Sequence, residues 1–205
     1  MDFENRSFLC EVRAEENENT GTQIIGRPIV FESKTNLGYF DEVIKKGALD
    51  KTDLSDVRFL VNHNLDCIPL ARARKGDKNS TMQIDVDDKG MAIKVSLDTE
   101  NNSEARALYS AVKRGDISGM SFMFRINGEE WDDVESDHPT RYITDISAVV
   151  EVSAVTFPAY QSTEIQARNI NSEINENILK NARSKMSIDS ELELEKLKAK
   201  YLYKI

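Results

Sequence analysis

The stretch "GDISGMSFMFRI", Gly115 to Ile126, runs from a helix end into a strand. Met120, Phe122, Phe124 and Ile126 alternate with Ser121, Met123 and Arg125, the period of two that gives a strand one apolar face. The residues before it, "NNSEARALYSAVKRGD", carry the helical period instead: Ala105, Leu108, Tyr109 and Val112 share a side. Asn101 or Asn102 supplies the cap, Glu104 lies in the first turn, Lys113 and Arg114 lie in the last, and Gly115 ends the helix. Two small hydroxyl residues, Ser118 and Ser121, stand at the seam. Packing gives an apolar strand no reason to begin with them, so they raise a chemical question.

Strand patterns recur on both sides of this seam. "RSFLCEVRA" alternates, "EENENTGT" reads as a polar loop, and "QIIGRPIVFES" reads as a strand in which Gly26 and Pro28 mark a bulge or an edge. "FDEVIKKGAL" has the pattern of a short amphipathic helix or turn closed by Gly47. "DVRFLVNHN" is a strand ending at His63. "TMQIDVDDKGMAIKVSLD" is a hairpin, with Gly90 suited to a positive φ in its turn. Beyond Ile126, "NGEEWDDVESDHPT" is a polar excursion, with Trp131 either bordering a groove or lying in a surface loop. "RYITDISAVVEVSAVTF" is too long for one regular strand and predicts a bend or bulge. From about residue 169 the chain becomes charged and free of Gly and Pro; Ser190 and Glu193 form a capping box, and Leu194, Leu197, Tyr201 and Ile205 form a stripe. The expected organisation is a β-rich domain over residues 1–168, closed or nearly closed, and a charged helical tail over 169–205.

Composition narrows the function. The net charge is −9 and no basic cluster occurs, which speaks against nucleic acid or an anionic membrane as partner. No run approaches the roughly 18 apolar residues of a membrane helix, and the N-terminus carries acids rather than a signal pattern. Two cysteines, Cys10 and Cys67, form no C-x-x-C pair, so neither a zinc site nor a disulfide framework is expected, and the serine chemistry considered below needs no metal or cofactor.

Three polar residues interrupt or end apolar strands: His63 after "RFLVN", Ser121 before "FMF", and Glu151 among valines. A glutamate buried there needs a partner, and a serine hydroxyl needs a base to take its proton. Together they make a possible nucleophile, base and orienting carboxylate. Rivals exist for each role. Ser118 is a second nucleophile candidate. Asp145 shares strand parity with Glu151 if no bulge intervenes. Cys67, four residues after His63, permits a Cys–His pair but reads better as an apolar filler. His138 reads as surface.

"FLVNHN", "GDISGMSFMF" and "EVSAVTFPAY", in that order, resemble the prohead (capsid maturation) serine proteases of tailed bacteriophages, a family related in fold to the herpesvirus assembly proteases. "IIGRPIVFES" and "YFDEVIKKGAL" look like that family's N-terminal part, and the resemblance covers roughly residues 8 to 168. It implies a mixed, β-rich fold: a closed or nearly closed antiparallel β-barrel with a few surrounding helices. It implies His63 as base, Ser121 as nucleophile and Glu151 as third member, with the backbone N–H of Ala159 or Tyr160 facing the oxyanion. It further implies action on the major capsid protein with its scaffold segment and on the chain itself, in the host cytoplasm inside the assembling procapsid, by a homo-oligomer. Met123 stands where the family usually has glycine, and Asn64 where it usually has aspartate. A scaffold or capsid-interaction protein that keeps the fold without activity is the alternative.

Overall fold

The computed structural model describes residues 3–9, 12–17, 21–156 and 167–202. The hairpin forms as its pattern requires: β8 (Met82–Asp87) and β9 (Gly90–Ser96) pair antiparallel across a two-residue turn, with Gly90 at φ 138°. A Cβ at Gly90 would lie 2.0 Å from the Ile29 carbonyl oxygen, so only glycine lets the neighbouring strand approach. That neighbour, β3 (Gly21–Val30), shifts register between Gly26 and Ile29, at the Gly-Arg-Pro triplet expected to bulge. With β2 (Val12–Asn17) these strands form a four-stranded sheet in the order β2-β3-β9-β8. The first alternating segment is therefore split, since β1 (Glu4–Leu9) joins the other sheet. Residues 15–17 and 21–22, expected in a loop, extend β2 and β3.

The second sheet has seven strands. Its centre is the pair β10 (Gly119–Asp132) and β11 (Thr140–Val155), and its main path is β1-β10-β11-β5-β4, with β4 spanning Lys34–Asn36 and β5 spanning Asp41–Ile44. β6 (Asp56–Val61) pairs with the distal part of β11 and with β7 (Ala71–Arg74). The segment "FDEVIKKGAL" is thus a strand followed by a turn. Its apolar residues fit a helix locally, but pairing with Thr140–Ile143 and with β4 satisfies its backbone on both edges. β11 is bulged as expected, with four register shifts against β10 between Met123 and Glu129. β10 itself continues through the polar excursion to Asp132, and Trp131 packs edge-on against Phe40 with ring centroids 5.0 Å apart.

Two features depart from an antiparallel barrel. Both β5 and β6 run parallel to β11, and the described strands form two hydrogen-bonded sheets that do not close into one barrel. The sheets enclose a continuous apolar core that includes Ile24, Phe59, Met91, Met120, Phe122, Phe124 and Val152. Helix α1 (Ser103–Arg114) covers part of it with Ala105, Leu108 and Val112; Asn102 caps its start and Gly115, at φ 81°, ends it. The C-terminal helix α2 (Ala167–Leu202) is continuous. Ser190 does not start a helix: its hydroxyl donates to the Met186 carbonyl one turn back. Leu179 and Ala182 pack with Phe40 and Val134, and Arg183 donates to the carbonyls of Val134 and Ser136.

Candidate active site

Strand alternation sends Met120, Phe122 and Phe124 into the core and turns Ser121 to the opposite face. Ser121 lies directly across from Ser153 of β11, and Glu151 lies across from Met123, on the same face. Parallel pairing of β6 with β11, Arg58 opposite Glu151 through Val61 opposite Ala154, then delivers the end of β6 to this spot. There Asn62 and His63 both take left-handed backbone, φ 52° and 55°. That conformation costs a non-glycine residue roughly 1–2 kcal/mol. Hydrogen bonds offset it: Asn62 N–H donates to the Ala154 carbonyl at 2.9 Å, and the Asn62 amide exchanges bonds with Thr156 at 2.9 and 3.0 Å. The His63 N–H donates to Ser153 Oγ at 3.0 Å.

The turn points the imidazole between two buried groups. His63 Nδ1 is 2.7 Å from Glu151 Oε2, and His63 Nε2 is 2.6 Å from Ser121 Oγ. Ser121 and Ser153 have no exposed surface and Glu151 is 1% exposed, while the imidazole keeps a partly open side. An ionised carboxylate only accepts, so Nδ1 carries hydrogen and Nε2 is left as an acceptor for Ser121. A second acceptor competes for that proton. The Arg6 carbonyl of β1 lies 2.7 Å from Ser121 Oγ. The hydroxyl has one proton, which goes to the base or to the strand but not to both.

β1 is fastened over the serine by buried charge. Arg6 donates to Glu42 at 2.5 and 2.8 Å, and Arg141 donates to Glu42 and Glu4. Burial works to raise the Glu4 carboxyl, but Arg6 and Arg141 outweigh it and hold that carboxyl below its ordinary value. Burial works to lower the Arg6 guanidinium, and Glu42 holds it above its usual range.

The rival residues lie elsewhere. Asp145 is opposite Gly128 and accepts from Asn127, six residues along β11 from Glu151. Ser118 is exposed ahead of β10. His138 pairs with Asp41 on the surface. Cys67, expected as an apolar filler, is exposed on the turn after His63. It lines a cavity of about 460 Å³ with Leu60, Ile68, Leu108 and Ile117. Ala159 and Tyr160 lie outside the described residues. Ser153 was missed by sequence reasoning. Its signal was faint: a small polar residue in a valine run, two positions past the glutamate. Among the described residues no cluster of His, Cys, Asp and Glu is arranged to hold a metal ion.

A hydroxyl, an imidazole and a carboxylate in one line are the groups a serine hydrolase uses to make a nucleophile. The family model of the caudovirus prohead serine protease matches residues 9–177, and the chain belongs to that family. Among solved structures it is similar to the capsid assembly protease of bacteriophage T4, at 14% identity and a TM-score of 0.40, covering 76% of this chain and 99% of that one. No curated relative matches the chain.

Proposed function

We propose that this prohead protease is an endopeptidase with Ser121 as nucleophile, His63 as general base and Glu151 as the carboxylate that orients the imidazole. The observation that carries the reading is the unbroken line of contacts, 2.6 Å from Ser121 Oγ to His63 Nε2 and 2.7 Å from Nδ1 to Glu151. His63 takes the Ser121 proton as Oγ bonds to the peptide carbonyl carbon. It returns that proton to the leaving amine, and the acyl-enzyme remains. The same nitrogen then deprotonates a water molecule, which releases the acid and frees Ser121. Glu151 stabilises the imidazolium in both steps without accepting its proton. Family membership supports, as the substrates of this reading, the major capsid protein with its scaffold segment and the protease itself, within the assembling prohead. The oxyanion role falls, by sequence position alone, to the N–H groups of Ala159 and Tyr160.

Ser121 has no exposed surface and its hydroxyl contacts the Arg6 carbonyl of β1, so release of β1 from the edge of β10 is the route proposed for a substrate carbonyl. The vacated edge then offers backbone N–H and C=O groups to an extended peptide, by strand addition. The full chain incubated with the major capsid protein of its own phage should release a defined scaffold fragment. Ser121→Ala and His63→Ala should each abolish that release. Persistence of cleavage in Ser121→Ala overturns the assignment, and no cleavage by the unaltered chain favours the inactive scaffold protein.

A further inference from the structure

We propose that Ser153 is a positioning residue of this site, a single hydroxyl that fixes both the backbone of the base and the carboxylate behind it. The proposal rests on the triad reading above. Ser153 Oγ accepts the His63 N–H at 3.0 Å and donates its own proton to Glu151 Oε1. Glu151 Oε2 is left to take Nδ1–H of the imidazole. The imidazole is thus located by two points, its main chain and its Nδ1 acceptor, and both points end on one oxygen.

The geometry makes this more than packing. Ser153 is fully buried directly across from Ser121, so its Cβ is fixed relative to the nucleophile by strand pairing. The left-handed pair Asn62–His63 does not hold itself. Its other ties, to Ala154 and Thr156, reach Asn62 and not His63. Without the hydroxyl, the His63 N–H and one Glu151 oxygen lose their partner together, inside a site that water does not fill freely. Imidazole and hydroxyl then drift from attack distance, and a displacement near 1 Å lowers a rate by about a hundredfold.

Glu151 is the charged side chain that touches His63. On the neighbouring elements Arg58 of β6 is turned to Asp56, Glu104 of α1 and Cys67 line the adjoining cavity, and Arg6 of β1 is engaged by Glu42.

The test measures covalent modification of Ser121 in the full-length protein by an alkyl fluorophosphonate, as a function of probe concentration. Ser153→Ala should lower the saturating rate constant by about ten- to a hundredfold and leave the half-saturating concentration within about twofold. Ser153→Thr and Ser153→Val carry equal bulk and differ in the hydroxyl. Thr should therefore label faster than Val by about tenfold or more, whatever both lose in melting temperature. Equal rates for Thr and Val, or a Ser153→Ala protein with the unaltered rate, overturn the proposal. Full labelling of His63→Ala instead overturns the triad beneath it.

Discussion

Glu151 sits among valines with almost no exposed surface, and a carboxylate there is tolerable only because His63 Nδ1–H and Ser153 Oγ–H reach its two oxygens. Its charge therefore serves the site rather than stability. Glu151→Gln keeps the shape and removes the charge that stabilises the imidazolium. The labelling rate of Ser121 should fall by about 10³- to 10⁴-fold, the size of loss known for an orienting carboxylate in a serine protease triad. The melting temperature should change little; a large drop in stability with a small drop in rate would make Glu151 structural. Arg6 poses the opposite case. Arg6→Met leaves Glu42, 1% exposed, with Arg141 as its remaining buried cation. Breaking a buried pair from one side costs about 3–5 kcal/mol, measurable by urea unfolding. A loss under about 1 kcal/mol would mean that water enters the cluster. At this scale the sequence is legible where a residue violates its surroundings. His63, Ser121 and Glu151 each interrupt an apolar run, and the fold brings the three side chains into contact. Ser153 violates nothing, since a serine in a strand is ordinary. Its meaning comes from a partner 90 residues away, brought in by parallel pairing. Strand parity does not separate Asp145 from Glu151; position along β11 does, since Glu151 lies across from Met123 and Asp145 across from Gly128.

β1 and α2 show what the elements add. β1 pairs with β10 over Glu4–Leu9 and covers the serine, so modification of Ser121 should require its release. Asn5 and Met123 lie directly across from each other. Cysteines at both positions, in a Cys67→Ser background, should form a cross-strand disulfide that blocks labelling when oxidised and restores it when reduced. Equal labelling in both states would mean the serine is reached from the His63 side with β1 in place. For α2, contact with the body extends through Leu179, Ala182 and Arg183, while Met186, Ile188, Leu192, Leu194 and Leu197 are about half exposed or more. Removing residues 185–205 should leave the melting temperature within about 2 °C. Removing 168–205 uncovers Phe40 and Val134 and should lower it by roughly 5 °C or more, at about 1.5–3 kcal/mol per large side chain and 2–4 °C per kcal/mol. Equal melting temperatures for the two truncations would mean α2 is not docked in solution. Elements with purely local signals were legible: the hairpin from its turn, α1 from its caps and period. β5 was not, because Phe40, Val43 and Ile44 match helical spacing, and only a partner strand about a hundred residues away makes them extended. Ser190 and Glu193 carry the residues of a capping box, but inside a continuous helix they cap nothing.

Across the whole molecule, one charge cluster ties the cover of the site to the body. Glu4 and Arg6 of β1, Glu42 of β5, Glu129 of β10 and Arg141 of β11 join four strands in a largely buried network. The Glu4 carboxyl is held below its ordinary value of 4.5, so the folded state prefers it ionised. Its contribution is fully present above that ordinary value and is lost as pH falls through the lower folded value. Acid therefore weakens the attachment of β1. Asp87 behaves likewise on the other sheet, where Arg27 and the backbone N–H of Lys89 hold it at about 2. Protonating Glu4 should loosen β1, while the β8–β9 hairpin stays tied to β3 by the Arg27–Asp87 pair. Amide hydrogen exchange at pH 4, corrected for intrinsic rates against pH 7, should show residues 4–9 losing protection before β9 and β11 do. Glu4→Gln removes the titrating group, so its β1 should exchange faster at pH 7 and change less between the two pH values. If β1 keeps its protection until the whole protein unfolds, the cluster belongs to the global fold and the cover does not open on its own. The site would then need its partners in the prohead, rather than any property of the isolated chain, to expose Ser121.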